Sequence, residues 1–295
     1  MNSQRDTIFL ETAIVLEQQQ FPGDQFILRV KAPSCASHAR PGTFAHLTCD
    51  PTTPMRRPLS IMSADPATGH VEFLYKVVGE GLRALTLHQP GDELSLLGPI
   101  GVPFQADPMR PKVLAIGGGV GIPPMVFLAR ALKAMGEFEP VVIMGSEIPF
   151  PFAVEQSCRE MTGFGAEPHG VMCDLEREGI ATRLASNAGY PEAFAGFVTD
   201  LARQHLCALD DRQLEQIQIA ACGPTPMLNA VTQLAREFSL PCQVALEEFM
   251  ACGVGGCAGC TVLLETPEGR AMKRVCVDGP VFDAYQVAEF LVADN

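Results

Sequence analysis

Three of the chain's eleven cysteines crowd into nine residues, Cys252-Gly-Val-Gly-Gly-Cys257-Ala-Gly-Cys260, and a fourth, Cys276, follows after fifteen more. C-x4-C-x2-C with a later cysteine is the plant-type spacing for a [2Fe–2S] cluster. Four thiolates around two ferric ions and two sulfides form a compact anion that gains a further negative charge on reduction. Backbone N–H groups turned inward stabilise that charge, so the loop must wrap tightly. Gly253, Gly255, Gly256 and Gly259 can take positive φ and bring no Cβ near the cluster, while small Ala258 keeps the loop interior open. A structural zinc site or a set of plain buried thiols are the alternatives. Zinc ligands usually come as two separated short pairs, whereas here three share one loop.

Chain length and charge narrow the setting. At 295 residues the chain has room for two domains and a small third. With 21 Lys and Arg against 34 Asp and Glu, the formal charge is −13, a poor match for a phosphate backbone or anionic lipid, so nucleic-acid and membrane partners are not expected. The longest apolar runs, such as Val141–Met144, fall far short of the roughly 20 residues a bilayer requires. No signal peptide is read at the N-terminus, and a cytoplasmic setting is expected. In that compartment a disulfide framework does not explain the cysteines. Cys35, Cys49, Cys158, Cys173, Cys207 and Cys242 read as small buried hydrophobes, and the six histidines are scattered without a pair at metal-ligand spacing.

The organisation along the chain changes once. Up to residue 106, short alternating runs such as Phe26–Val30, Val71–Tyr75 and Glu93–Leu97 are separated by Pro22-Gly23-Asp24, Pro41-Gly42, Ala67-Thr68-Gly69 and Pro90-Gly91-Asp92. That spacing predicts an antiparallel barrel or sandwich. After a linker at Gln105–Pro111, strand and helix alternate: strands at Lys112–Ile116, Val141–Met144 and Ile217–Ala221, helices at Pro124–Met135, Val198–Leu206 and about Pro226–Phe238. Such alternation predicts a parallel sheet with covering helices. The expected division is a barrel over 1–106, an α/β nucleotide domain over 107–241 and a small cluster domain over 242–295.

Two turns in the α/β part suit a dinucleotide. Gly117-Gly118-Gly119-Val120-Gly121-Ile122-Pro123-Pro124 links a strand to a helix, so a pyrophosphate can approach the backbone at a helix N-terminus. Pro124 stands at the last glycine of the usual fingerprint, making this a variant. Cys222-Gly223-Pro224 ends a strand in the same way and leaves room for a flat ring; an ordinary strand-to-helix turn is the alternative at both places. In the barrel, Arg57-Pro58-Leu59-Ser60 offers an arginine clamp for a diphosphate and a strand serine for a flavin edge, the alternative being an ordinary solvated surface arginine. Leu74-Tyr75-Lys76 ends a strand, and Gly81-Leu82 opens a short helix as a second phosphate site.

The order of these motifs resembles the electron-transfer subunits of NAD-linked dihydroorotate dehydrogenases, within the ferredoxin-reductase superfamily. Glu248-Phe-Met-Ala-Cys252 through Cys257 and Cys276-Val-Asp-Gly-Pro-Val-Phe282 are especially close, and the resemblance spans nearly the whole chain. It implies a flavin-binding barrel followed by a nucleotide domain. Arg57–Ser60, Leu74–Lys76 and Gly81–Leu82 would then contact FAD, Gly117–Gly121 and Cys222–Pro224 would line the NAD site, and Cys252, Cys257, Cys260 and Cys276 would hold the cluster. It further implies an FMN-containing catalytic subunit, in a hetero-tetramer, that oxidises dihydroorotate in pyrimidine biosynthesis. Electrons would pass from it through [2Fe–2S] and FAD to NAD. No catalytic acid or base is assigned to this chain, because the cofactors carry the redox chemistry. The alternative is the flavin and iron–sulfur subunit of another complex: a hydrogenase, a sulfide dehydrogenase or a ferredoxin–nicotinamide transhydrogenase. Three features depart from the resemblance: Leu82 stands where relatives usually have threonine, residues from about 148 to 178 look inserted, and Arg183–Tyr190 replaces a more acidic loop. Glu147 could accept a ribose hydroxyl and favour NAD over NADP, or stand as an exposed loop carboxylate.

Overall fold

The structure is a computed structural model that describes residues 7–52, 55–157, 159–164 and 170–291. The chain divides into two compact units, one formed by residues 1–103 with 246–281, the other by 104–245 with 282–295.

In the first unit, β1 (Phe9–Phe21), β2 (Gln25–Lys31), β3 (Phe44–Leu47), β4 (Arg57–Asp65), β5 (His70–Lys76) and β6 (Glu93–Ile100) close into a barrel in the order β1-β2-β5-β4-β3-β6. Every neighbouring pair is antiparallel. The alternation read from the sequence is the cause: Ala13, Leu28, Val30, Phe73 and Leu96 are fully buried inside, each of the four larger side chains contributing about 1.5–3 kcal/mol. Closure leaves no exposed sheet edge. Helices α1 (Pro33–His38) and α2 (Glu80–Leu85) sit in the connections, with the Glu11 carboxylate accepting from the Ser34 and Cys35 N–H groups at the start of α1.

The second unit begins with β7 (Lys112–Gly118), α3 (Ile122–Met135) and β8 (Glu139–Gly145). A small antiparallel pair, β9 (Val154–Gln156) with β10 (Gly170–Met172), then leads through α4 (Cys173–Arg177) to β11 (Ala181–Ser186) and β12 (Phe194–Ala195). After α5 (Val198–Cys207) and α6 (Asp211–Leu214) come β13 (Ile217–Cys222), α7 (Thr225–Glu237) and β14 (Cys242–Ala245). The cysteine loop and the hairpin β15 (Thr261–Thr266) with β16 (Gly269–Arg274) that follows it belong to the first unit. Strand β17 (Val281–Asp283) completes the sheet to seven strands of order β12-β11-β8-β7-β13-β14-β17. All pairings from β12 to β14 are parallel.

Strand order locates the crevice of this sheet. From β7 the chain runs outward through β8 and β11 to β12, then returns to β13 on the opposite side of β7. Such a reversal opens a binding crevice at the carboxyl ends of the two strands. Among the described residues no helix is long and apolar enough to cross a membrane.

Candidate cofactor sites

The cysteine loop bends through left-handed backbone at Gly253 (φ 67) and Gly255 (φ 77), as expected for the wrap. Gly256 and Gly259 do not take positive φ; Ala258 does instead, at φ 53. Close packing also explains two of the glycines. A Cβ on Gly255 would stand 2.7 Å from Val277 Cγ2, and one on Gly253 would stand 2.9 Å from His46 Nδ1.

Two thiol pairs form at the loop, and among the described residues no three metal-ligating side chains gather around one point, so the arrangement is one of pairs. The Cys252 and Cys257 thiols interact, as do those of Cys276 and Cys260, and charge on Cys252 is felt at Cys276. Burial alone raises the Cys252 thiol, but the N–H groups of Val254, Cys257 and Gly256 together with the Cys257 thiol bring it down to about 7. Cys276 is pushed up to about 12 by burial and by its partner Cys260. Gly259 N–H points at Cys257 Sγ across 3.5 Å. Loop amides aimed at sulfur and thiolates set two by two fit a dinuclear centre with two thiolates on each iron. Arg274 braces the loop from β16: Nη1 donates to the Gly255 carbonyl at 3.0 Å and Nε pairs with Asp278 at 3.0 Å. The motif reading did not single out Arg274, although its place two residues before Cys276 was a signal.

The remaining cysteines behave differently. Burial raises the thiols of Cys35, to about 12, and of Cys49, to about 11; Cys242 is also raised. Cys173 is likewise buried, in accord with the sequence reading. Cys207 is exposed, contrary to that reading, because it closes the amphipathic helix α5 on its outer side. Cys158 lies outside the described residues.

In the barrel, β4 and α2 bring Arg57 and Gly81 together. A Cβ on Gly81 would stand 2.7 Å from Arg57 Nε and 2.8 Å from Nη2, so the guanidinium edge lies against the first turn of α2. Arg57 Nη1 donates to the Met55 carbonyl at 2.7 Å, which fixes the fork. Guanidinium donors held beside the first turn of a helix fit a diphosphate. Pro58 and Ser60 are half-buried on β4, with Leu59 buried between them, and Leu82 is half-buried on α2. Leu74 is buried; Tyr75 is too, stacked on Phe26 at 5.4 Å with its hydroxyl donating to Gln18 at 2.8 Å. Lys76 is half-buried at the strand end.

In the second unit the two glycine turns adjoin across the crevice, with Gly117 and Cys222 in register on β7 and β13. Backbone packs so closely there that a Cβ on Gly121 would stand 2.2 Å from the Cys222 carbonyl oxygen. Met227 on α7 fills the space over Gly118 and Gly223, where a Cβ would meet its side chain at 2.5 and 2.6 Å. Gly119 takes φ 55, with open space where a Cβ would be, and Val120 and Pro224 are exposed beside it. Bare backbone at the carboxyl ends of β7 and β13, before the N-terminus of α3, fits a pyrophosphate. Glu147 is exposed beyond β8.

A family model described as the iron–sulfur cluster binding domain of dihydroorotate dehydrogenase B matches residues 247–288. Over 283 residues the chain is 30% identical to the dihydroorotate dehydrogenase B (NAD(+)) electron transfer subunit of Desulforamulus reducens, covering 93% of this chain and 97% of that one. The Bacillus caldolyticus subunit of the same description is 35% identical over 255 residues, 84% and 86% of the two chains. Among solved structures, an NADH-dependent reduced ferredoxin–NADP oxidoreductase aligns at a TM-score of 0.75 with 27% identity, covering 95% and 91% of the chains. Phthalate dioxygenase reductase shares the fold at a TM-score of 0.57 and 14% identity, over 90% of each chain. The paired cysteines, the arginine cradle in a barrel and the crevice between β7 and β13 therefore occur in a chain that belongs to the family of dihydroorotate dehydrogenase B electron transfer subunits.

Proposed function

We propose that this chain carries electrons from the FMN of a dihydroorotate-oxidising partner subunit to NAD, within a cytoplasmic hetero-tetramer that serves pyrimidine biosynthesis. Cys252, Cys257, Cys260 and Cys276 hold [2Fe–2S]; Arg57–Ser60, Leu74–Lys76 and Gly81–Leu82 hold FAD; Gly117–Gly121 and Cys222–Pro224 hold NAD. When bound, the cluster supplies single-electron transfer and FAD supplies the exchange between single electrons and hydride. The protein's part is positioning: the cysteine pairs fix the cluster, Arg57 neutralises the flavin diphosphate, and the glycine turns seat the nucleotide. The observation that carries this reading is that the paired cysteines and the Arg57–Gly81 cradle lie in one compact unit.

The test is reconstitution with an FMN-containing dihydroorotate dehydrogenase subunit, followed by assay of iron, sulfide, flavin and dihydroorotate-dependent NAD reduction. Stoichiometric cluster and FAD with NADH formation are expected. A loaded protein that oxidises NADH normally but gives no response to dihydroorotate beside its cognate partner would refute the partner assignment. The likeness to the ferredoxin–NADP oxidoreductase chain favours a second reading, a ferredoxin–nicotinamide transhydrogenase subunit. NADH-driven ferredoxin and NADP turnover would then replace the dihydroorotate response.

A further inference from the structure

Strand β3 carries a histidine among core residues. Phe44, Ala45 and Leu47 are buried hydrophobes, and His46 between them is 0% exposed. Neither Nδ1 nor Nε2 of His46 has a hydrogen-bond partner among the described residues. Leaving a buried donor or acceptor unpaired costs about 1–3 kcal/mol, so such groups persist where something else supplies the partner.

The surroundings of the ring indicate what that partner is. On one side its Nδ1 edge lies against Gly253, the residue directly after Cys252; a Cβ there would stand 2.9 Å from Nδ1 and 3.0 Å from Cε1. Phe44 packs on it, ring centroids 5.8 Å apart. His46 also pairs in register with Pro58 of the Arg57–Ser60 segment, and its carbonyl accepts from Arg56 Nη1. It therefore links the strand pair that carries the flavin motif to the first turn of the cysteine loop. Burial, reinforced by the Arg56 charge, lowers its pKa to about 4, so at neutral pH the ring is uncharged and offers one N–H.

We propose that His46 donates its ring N–H to a sulfur of the cluster held by the Cys252 loop and so raises the reduction potential of that cluster. The proposal rests on the cluster assignment made above. A donor to cluster sulfur stabilises the reduced, more negative state more than the oxidised one. The loop amides supply donors that move with the loop. His46 supplies one from a barrel strand, held by ladder hydrogen bonds on both sides. It acts as a positioning and tuning residue, not as a ligand.

The experiment is an EPR-monitored redox titration of the holoprotein and of its His46→Leu and His46→Gln variants. In His46→Leu the equilibrium constant for cluster reduction falls by about tenfold, 59 mV for a one-electron couple. In His46→Gln, which keeps an N–H, it falls less. An unchanged potential in a loaded His46→Leu protein overturns the proposal, as does an equal fall in both variants, which would mean altered packing. Should His46→Leu fail to load, pulsed EPR of reduced wild-type protein with 15N-labelled histidine decides. A nitrogen coupling that disappears in His46→Gln supports the contact, and its absence in wild type overturns it. A wild-type protein with no [2Fe–2S] signal at all refutes the cluster assignment instead, so the two failures are distinguishable.

Discussion

The guanidinium of Arg57 lies so close to Gly81 that a Cβ at residue 81 would stand 2.7 Å from its Nε. Gly81 is the second residue of α2, where alanine would favour the helix by up to about 1 kcal/mol. A glycine there is explained by the arginine, whose fork lies against the first turn of the helix where a Cβ would stand.

Gly81→Ala therefore separates folding from cofactor binding. The arginine end can swing away at the cost of its bond to the Met55 carbonyl, which offsets the helix gain, so the thermal midpoint of flavin-free protein should change little. FAD affinity should fall by about tenfold to a hundredfold, the range for losing a charge-assisted hydrogen bond of about 1.5–3 kcal/mol. Calorimetric titration of flavin-free protein with FAD measures this; unaltered affinity would remove Arg57 from the diphosphate site.

The cysteine pairs make a contrasting prediction. Cys257→Ser should abolish iron, acid-labile sulfide and electron exchange with the partner subunit while FAD content stays unchanged. Cys49→Ala, at a buried thiol raised by burial in the same unit, should leave iron and sulfide intact. Metal and flavin assays on both proteins check the pair of outcomes. Simultaneous loss of FAD in Cys257→Ser would show that flavin binding depends on the loop.

The alternating runs in the first third and the strand–helix alternation after Lys112 made the barrel and the parallel sheet legible, because each buries one face at its own period. The helix read from Pro124 begins at Ile122, since the two prolines occupy its first turn. Helix α1 and the short β9–β10 pair were not legible: six- and three-residue elements are too brief to show a period. The cysteine spacing pointed to the proposed ligands, but the contact between His46 and Gly253 joins residues far apart in the chain and leaves no local pattern. The same holds for Arg57 and Gly81, whose motifs were visible singly while their contact was not.

Gly121 tests the crevice. Its φ of −84 suits any residue, so the cost of Gly121→Ala is steric: the Cβ would stand 2.2 Å from a backbone oxygen that cannot swing aside. Forcing β13 from α3 should cost about 3 kcal/mol, a drop of roughly 6–12 °C in the melting of this unit. Gly119→Ala meets open space and pays only for its left-handed φ of 55, about 1–2 kcal/mol. Differential scanning calorimetry should rank the two in that order.

Among the described residues Arg183 on β11 is the largest fully buried side chain, and it holds Ser157, Arg159 and Phe164. Its Nη1 donates to Ser157 Oγ at 3.2 Å and to the Thr182 carbonyl at 2.7 Å, its Nη2 donates to the Arg159 carbonyl at 2.8 Å, and its guanidinium lies 5.2 Å from the centre of the Phe164 ring. Burial lowers its pKa, and the buried Glu176 carboxylate, which also pairs with Arg159 at 3.3 Å, opposes that shift. Removing the cation leaves Glu176 less compensated and two carbonyls without a donor. Arg183→Met should thus lose about 3–5 kcal/mol, the usual cost of breaking a buried charge arrangement from one side. Adding Glu176→Gln should recover part of it, and iron content should remain at the wild-type level in both proteins. Denaturant unfolding of the single and double variants measures the coupling; strictly additive losses would show that the two side chains act independently.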